Sequence, residues 1–301
     1  MDVTIETPRT LLEGTNYIYT ESTNSEKLPV VCVHGIGSSH DTWTGLATVL
    51  HPAGYSVLAY DLMGRGDSRY PENNIFDAAS HVDQLRKLIT SLRINVDAEG
   101  KPRRYHMVAH SMGGAITAAY CALHGAEVQS TVLLAPAGLM SMAGPLWLIR
   151  NCCGCFRSFV KSALQSGQEN AWRQDFVDPK GERANAQVAR LSKLNARVPT
   201  HFEALWQCIL QFPLGGLDKE VQQLAESNTS VFLIWGYMDK AVPFDNYTKW
   251  RRVLETANPD MEKSTKKTIQ FQTFKELAHG LFLDSPEDFH DSIREFLDKC
   301  A

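Results

Sequence analysis

The chain lacks the features that mark exported and membrane-spanning proteins. Its first residues, Met1 to Glu6, carry acids where a signal peptide needs a basic start and an apolar stretch. The uncharged stretch Ser130 to Ile149 is interrupted by two prolines and two glycines and does not predict a membrane span. We therefore expect a protein without an export signal that stays in the cytoplasm.

The chain also lacks an excess of positive charge and an even set of cysteines. Its net charge of −4 gives no reason to expect a nucleic-acid partner. Seven cysteines are an odd number in a chain without an export signal, so we expect free thiols in a reducing compartment. Internal repeats and low-complexity tracts are absent as well, which disfavours solenoid and disordered proteins.

The length permits one large domain or a core with an inserted subdomain. A globule of 301 residues buries roughly three quarters of the surface that its unfolded chain exposes. Apolar content of 44% and charged content of 21% are ordinary for a globular protein. The oligomeric state is left open by these numbers.

Apolar runs that predict strands alternate with amphipathic segments that predict helices. The predicted strands are 30–33, 55–60, 106–109, 128–134, 230–235 and 267–274, and the predicted helices are 41–51, 75–92, 112–123 and 285–299. This alternation favours an α/β fold with a mostly parallel sheet that is covered on both faces.

One long segment breaks the alternation. Residues 139–224 contain short helical patterns and no convincing strand. The helical patterns are at 156–164, 185–194 and 202–210. We predict a core made of residues 1–138 and 225–301, with residues 139–224 inserted as a helical cap, or lid.

Ser111 has the surroundings of a catalytic nucleophile. Residues 108–114 read VAHSMGG, between a short apolar run and a helical segment of small residues. A strand–turn–helix of this kind holds a serine on a sharp turn with its hydroxyl exposed, and the turn needs small neighbours. Because a serine hydroxyl is a weak nucleophile at neutral pH, the chain must also supply a base and an oxyanion hole.

A carboxylate and a histidine follow later strands in the order that this chemistry needs. Asp239 comes just after the strand 230–235, and His279 follows the strand that ends at Phe274. Either residue alone is weak evidence for a catalytic site, since aspartates in loops and histidines on the surface are common. The order Ser111, Asp239, His279, each after its own strand, is far more specific. Asp245 is a weaker substitute for the acid because it can cap a following helix.

Two backbone amides are candidates for the oxyanion hole. The Met112 N–H follows the nucleophile at the start of a helix, where N–H groups are free and the dipole favours an anion. The second donor should be the Ile36 N–H in the segment 34–37, HGIG. Candidate substrate contacts beside these donors are His34, Gly35, Gly37 and His110.

These motifs together resemble the α/β-hydrolase superfamily, which includes monoacylglycerol lipases and carboxylesterases. The matching segments are VHGIG at 33–37, DLMGRGDS at 61–68 and the elbow at 109–113, followed by Asp239 and His279. The resemblance implies an eight-stranded sheet with the second strand antiparallel, a lid between strands 6 and 7, and no metal or organic cofactor. The first elbow glycine is replaced by Ala109. For segment 61–68 we expect a structural role, with its charges paired locally.

The cap carries a conspicuous cluster of cysteines. Cys152, Cys153 and Cys155 lie between the apolar residues Trp147 and Phe159. The neighbouring basic residues are Arg150, Arg157 and Lys161. The cysteines are either small apolar fillers in a helical lid or acylatable thiols in a lid that touches a membrane. A zinc site is not expected because a second ligand pair is missing. Trp147 and Phe159 are also candidate contacts to an acyl chain.

The sequence therefore predicts a serine hydrolase acting on esters of lipophilic, small-to-medium acyl substrates. The same triad could cleave a thioester, an amide, a lactone or a carbon–carbon bond, and the residues barely separate these reactions. A third interpretation is a ligand receptor that keeps the hydrolase fold, which turnover of a generic p-nitrophenyl ester would distinguish.

Overall fold

Eight strands form one sheet in the computed structural model, which describes residues 10–24, 26–141, 145–261 and 267–301. The strands are β1 (Thr10–Leu12), β2 (Thr15–Thr20), β3 (Val30–Val33), β4 (Val57–Tyr60), β5 (Tyr105–His110), β6 (Val128–Leu134), β7 (Ser230–Gly236) and β8 (Ile269–Phe274). Their order is β1-β2-β4-β3-β5-β6-β7-β8. The direction of β2 is opposite to that of the other seven strands, which confirms the predicted, mostly parallel sheet.

Part of the chain on which two expectations rest lies outside the described residues. The expectation about an export signal rests on residues 1–9, and the uncharged stretch includes residues 142–144. In the described part of the chain, no helix is both long and apolar enough to cross a bilayer. All seven cysteines are described, and all seven are free thiols.

The helices alternate with the strands and then accumulate between β6 and β7. They are α1 (Thr44–Leu50), α2 (Ala78–Ser91), α3 (Met112–His124), α4 (Pro145–Asn151), α5 (Gly154–Arg173), α6 (Glu182–Arg197), α7 (Thr200–Gln211), α8 (Asp218–Glu226), α9 (Asp245–Ala257), α10 (Leu281–Asp284) and α11 (Pro286–Lys299). The start of α2 is later than predicted because the Asp77 carboxylate accepts the Ser80 N–H at 2.8 Å and caps the helix there.

The strand order places a crevice at the ends of β3 and β5. The chain moves from β3 to β4 in one direction along the sheet, and from β5 through β8 in the other. Right-handed crossovers then put α1 and α3 on opposite faces. Accordingly α1 packs against α11, whereas α2, α3, α8 and α9 form a continuous row of contacts. Ligands of open α/β sheets bind where the direction reverses, outside the carboxyl ends of the strands.

The segment between β6 and β7 contains two kinds of helix. Trp172 of α5 and Leu191 of α6 belong to a small apolar cluster that is separate from the main core. In contrast, α8 packs against α3 and α9, and its Val221 and Leu224 are buried in the main core. The predicted cap range 139–224 includes most of α8, so we propose that the cap ends before Asp218.

Candidate active site

Ser111 lies on a strained turn between β5 and α3. Its φ of 56° and ψ of −122° are sparsely populated for a residue with a side chain, a conformation that costs about 1–3 kcal/mol. Backbone hydrogen bonds hold the turn: the Ser111 N–H donates to the Leu134 carbonyl at 3.0 Å, and the Ala137 N–H donates to the Ser111 carbonyl at 3.0 Å. The geometry is that of a nucleophile elbow.

Glycines around the turn allow close approach of backbone segments. A Cβ atom at Gly113 would lie 2.3 Å from the Val33 carbonyl oxygen, so α3 begins directly against the end of β3. A Cβ atom at Gly35 would lie 3.2 Å from the Ser111 Cβ. The Gly35 loop is therefore packed on the nucleophile itself. The small residues that the sequence places here serve this contact.

We predict that Gly113→Ala destabilises the protein by about 1–3 kcal/mol, because the new methyl group overlaps rigid backbone. Gly167, inside α5, is the matched control, since a Cβ atom there would meet nothing within 4 Å. Gly167→Ala should stabilise the protein by up to about 1 kcal/mol through helix propensity. Denaturant unfolding of both variants checks this, and equal shifts of the midpoint would contradict the close packing.

His279 is oriented by Asp239. The His279 Nδ1–H donates to Asp239 Oδ2 at 2.7 Å, and both side chains are buried. The other carboxylate oxygen, Oδ1, accepts the N–H groups of Ala241 at 2.9 Å and Val242 at 2.8 Å. Because the proton is on Nδ1, Nε2 is left as the proton acceptor. The acid thereby fixes both the position and the tautomer of the candidate base.

Two opposing effects set the pKa of His279. Burial lowers it, but the attraction and hydrogen bond of Asp239, together with the charge of Asp175, outweigh burial and raise the pKa above its ordinary value. His110, the second histidine in the site, is buried, and its pKa lies well below the ordinary value. Of these two histidines, His279 is therefore the one that changes charge near neutral pH.

This difference predicts the pH dependence of activity. A base must be neutral, so kcat/KM should fall as the pH drops through a pKa above the ordinary value of about 6.5 for histidine. Initial rates across buffers of constant ionic strength check this. A profile that stays flat from about pH 5 to pH 8 would contradict a histidine base with a raised pKa.

Two backbone amides close to Ser111 have no acceptor in the part of the chain that the structure describes. Among the hydrogen bonds of the described residues, neither the Ile36 N–H nor the Met112 N–H has an acceptor. Met112 is the first residue of α3, where the helix dipole favours negative charge. The segment that carries Ile36 follows β3 at the switch point, beside Ser111. These two donors are the candidate oxyanion hole.

A cavity of about 410 Å³ joins these groups. Ser111, His279 and Ile36 line it, as do the predicted contacts Gly35, Gly37 and His110. Its cap-side wall is largely apolar and includes Leu164, Trp172, Phe176, Leu191, Phe202 and Leu205. The cavity therefore suits an acyl chain close to the nucleophile.

Three predicted substrate contacts lie elsewhere. His34 is fully buried outside the cavity lining, where its Nε2 accepts the Leu62 N–H at 3.0 Å, so its role is structural. Trp147 and Phe159 are 58% and 71% exposed and do not line the cavity. The hypothesis that they contact the acyl chain is corrected: they are on the outer surface of α4 and α5. Asp245 is the first residue of α9 and does not cap it, since Phe244 occupies the N-cap position and no side chain accepts a hydrogen bond there.

The loop at 61–68 is structural, but its charges do not all pair locally. Asp61 accepts the His40 N–H at 2.8 Å; burial would raise its pKa, and bonds from His40 lower it to about 2. Asp67 pairs with Arg197 at the end of α6. The fully buried Arg65 donates to the Ile36 carbonyl at 2.7 Å and to the His201 carbonyl at 3.1 Å. Local pairing was therefore wrong for Asp61, Arg65 and Asp67.

Arg65 and Arg190 connect the cap to residues 36–39, the segment after β3 that carries the candidate oxyanion donor Ile36. Arg65 links the Ile36 carbonyl to the first turn of α7, as described above. Arg190, from α6, donates to the Ser39 hydroxyl at 3.0 Å and the Ser38 hydroxyl at 3.2 Å. Arg190 also forms an ion pair with Asp41 at 3.6 Å. Sequence reasoning missed Arg190 and the partners of Arg65, because these contacts join residues that are distant in the chain and leave no local pattern.

The fold and this site define the class of protein. The model of the alpha/beta hydrolase family matches residues 30–292, and the chain belongs to that family. Within the described residues, no group of three or more His, Cys, Asp or Glu side chains is arranged to hold a metal ion.

Similar proteins include two bacterial lipases. Lipase 3 of Moraxella sp. (strain TA144) is 24% identical over 276 residues, which cover 90% of this chain and 81% of the lipase. Lipase 1 of Psychrobacter immobilis is 23% identical over 277 residues, covering 89% and 80%. The family and these relatives confirm the prediction of a lipase-like hydrolase.

A solved structure of another hydrolase shows the same fold. The meta-cleavage product hydrolase of Pseudomonas fluorescens IP01 superposes with a TM-score of 0.69 at 18% identity, over 95% of each chain. At this identity the likeness extends to the fold and not to the substrate.

Proposed function

We propose that this protein is a serine hydrolase that cleaves carboxylic esters of lipophilic, small-to-medium acyl substrates. One observation carries the proposal: Ser111 and His279 line a single, largely apolar cavity, while Asp239 holds the far ring nitrogen of His279. Nucleophile, base and orienting acid are thus available next to a wall that suits an acyl chain.

The first half of the reaction forms an acyl-enzyme. His279 Nε2 takes the Ser111 proton as Oγ attacks the ester carbonyl, and the carbonyl oxygen becomes an anion beside the Ile36 and Met112 N–H groups. The intermediate then collapses. The bond to the alcohol oxygen breaks, and His279 returns the proton to that oxygen.

Water completes the cycle by the same route. His279 takes a proton from water as the hydroxide attacks the acyl-enzyme, and the Ser111 oxygen leaves with that proton. The carboxylate of Asp239 stabilises the imidazolium in both halves and is not itself protonated. No other co-reactant is needed.

The length of the acyl chain provides the test. With p-nitrophenyl esters, kcat/KM should rise with each added methylene, by up to about fourfold for a gain of about 0.8 kcal/mol, until the cavity is filled. Leu205→Trp places a larger side chain on the cap-side wall and narrows the cavity, so the acyl-chain length with the highest kcat/KM should become shorter. Leu123, exposed at the far end of α3, is the control, and Leu123→Ala should keep the wild-type optimum.

Two results would overturn the proposal. A panel in which no ester is turned over favours the ligand receptor. Efficient cleavage of amides, thioesters, lactones or carbon–carbon bonds, with esters poorly cleaved, would assign the same triad to another reaction. The apolar wall favours acyl chains in every case.

We also infer that the outer face of the cap contacts the cytoplasmic surface of a membrane, where the compartment is reducing. Its exposed apolar residues are Trp147, Leu148, Phe156 and Phe159. Residues 128–168 contain no Asp or Glu, in a chain of net charge −4. Of the three cations there, Arg150 and Arg157 donate only to neutral carbonyls, and Lys161 pairs with Glu203. An apolar face with uncompensated positive charge suits anionic lipid, and the free thiols support a cytoplasmic location.

Sedimentation with vesicles tests this contact. The protein should sediment with phosphatidylcholine vesicles that contain phosphatidylserine more than with phosphatidylcholine alone. A Trp147→Ser, Phe159→Ser double variant should lose the binding, whereas Leu123→Ser on the core should keep it. Equal sedimentation of all three proteins would refute the contact.

The intact mass of the protein isolated from cells shows whether Cys152, Cys153 and Cys155 carry acyl groups or are simply packed.

A further inference from the structure

The turn that follows α5 in the cap is bonded to both loops that carry the candidate acid and base. The Gly280 N–H, next to His279, donates to the Asp175 carbonyl at 2.7 Å. The Val177 N–H donates to Asp284 Oδ2 at 2.9 Å. The Lys240 ammonium, next to Asp239, donates to the Gln174 side chain at 3.1 Å. Residues 174–177 are therefore held against the catalytic loops.

This turn brings one carboxylate into the cavity without a partner. Asp175 is partly buried and lines the cavity together with Ser111 and His279. No hydrogen bond or ion pair of the described residues reaches its carboxyl oxygens. The cation that lines the same cavity, Lys240, donates to Gln174 instead. A partly buried carboxylate without a protein partner, set in a largely apolar cavity next to the reacting groups, is a strong acceptor that a donor from a ligand can satisfy.

The chemistry of the triad indicates which part of a substrate meets Asp175. His279 must deliver a proton to the alcohol oxygen that leaves, so the alcohol portion of an ester lies on the His279 side of Ser111. Asp175 is bonded through its backbone to the residue after His279. The Asp175 carboxylate therefore lies next to the alcohol portion of a bound ester, and the apolar wall is left to contact the acyl chain.

We propose that Asp175 is a substrate-binding carboxylate that accepts a hydrogen bond from a hydroxyl or ammonium group in the alcohol portion of the ester. The protein then prefers esters of alcohols that carry a second donor to esters of plain alkyl alcohols. This specificity rests on the proposed ester hydrolysis and adds the substrate's leaving group to it.

The electrostatics of the site agree with an ionised carboxylate at neutral pH. Burial raises the pKa of Asp175 to about 6, with the charge of His279 opposing and that of Asp239 adding to the rise. The other groups that line the cavity with a charge or a titratable ring are Lys240 and His110, and the buried His110 stays neutral. Above this pKa the carboxylate is a strong acceptor.

Two isosteric pairs of hexanoyl esters test the proposal. The first pair compares the 2-hydroxyethyl ester with the propyl ester. The second compares the 2-(dimethylamino)ethyl ester, protonated at neutral pH, with the 3-methylbutyl ester. The measured quantity is the ratio of kcat/KM within each pair, divided by the ratio of the uncatalysed hydrolysis rates of the same two esters, because the members match in size but their leaving alcohols differ in intrinsic reactivity. In at least one pair the wild-type ratio should be about tenfold or more in favour of the donor.

Variants assign the preference to Asp175 and identify the donor. Asp175→Ala should bring the preferred pair's ratio close to one. Asp175→Asn should keep part of a hydroxyl preference, since an amide oxygen still accepts, and should lose an ammonium preference. Asp178, exposed in the same segment and outside the cavity, is the control, and Asp178→Ala should keep the wild-type ratio.

Wild-type protein supplies a measurement that does not depend on the folding of a variant. The donor preference should decline as the pH falls through about 6, where Asp175 gains a proton. Protonation of His279 lowers kcat/KM for both esters of a pair equally, so it does not change their ratio. Wild-type ratios near one in both pairs, or an unchanged ratio in Asp175→Ala, would overturn the assignment. Failure to cleave any of the four esters would instead overturn the proposed ester hydrolysis on which it rests.

Discussion

Replacing Ser111 with alanine should lower kcat for ester hydrolysis by on the order of 10³-fold or more, while the protein stays folded. The substitution removes only the serine hydroxyl group. The backbone of the turn is held by hydrogen bonds to Leu134 and Ala137, which the substitution leaves in place. Without Oγ the acyl-enzyme cannot form, so the remaining groups can only assist direct attack by water.

A second serine–histidine pair makes a stringent control for this variant. Ser130 on β6 is buried, and its hydroxyl lies 2.7 Å from His106 Nδ1, but neither residue lines the cavity. Ser130→Ala should leave kcat close to the wild-type value. If Ser130→Ala lost the activity and Ser111→Ala kept it, the nucleophile would be misassigned.

Asp239→Asn should lower kcat by on the order of 10⁴-fold, the size of effect seen when an orienting acid becomes an amide in a serine protease. The reason lies in the hydrogen bonds of this carboxylate. One oxygen accepts two backbone N–H groups, from Ala241 and Val242, so an amide must keep its oxygen there. Its NH₂ group then faces His279 Nδ1 and forces the proton onto Nε2, where the base is lost.

Asp245→Asn is the matched control for the acid. Asp245 is the first residue of α9, and its substitution should change kcat little. Thermal melting should show both variants folded. A silent Asp239→Asn together with a damaging Asp245→Asn would move the acid to the other position.

The sequence predicted the parts of the fold that have strong local patterns. The apolar runs of β3 and β7 are buried on both faces and fall where they were expected. The edge strand β1 and its neighbour β2 were implied only by the family resemblance. Their residues do not stand out because β1 is three residues long and β2 is only partly buried. In edge strands the pairing, and not the burial, determines the structure.

Hydrophobicity was a poor guide to the cap. Trp147 and Phe159 are as apolar as the residues that line the cavity, yet both point outwards. A short helix that is apolar on more than one side does not reveal which side meets the core. In the same way most of α8 falls inside the predicted cap, and its contacts with α3 and α9 are the reason that we propose to place it in the core.

Side chains that act across the fold left no signal in the sequence. Ser111, Asp239 and His279 could be predicted because each follows a strand and their order is diagnostic. Asp175 and Arg65 belong to no such pattern. Their roles depend on backbone groups of Gly280, Ile36 and His201, and only the three-dimensional structure brings these together.

Mass spectrometry after reaction with a fluorophosphonate tests the central claim most directly. Peptide mapping should find one phosphonyl group per chain, on Ser111 within the tryptic peptide 105–150. The fragment ions must exclude Ser130 and Ser141 of the same peptide. Labelling should slow when the pH falls below the raised pKa of His279, because the protonated histidine no longer activates the serine. An adduct on another serine, or labelling of Ser111→Ala at the wild-type rate, would contradict the account.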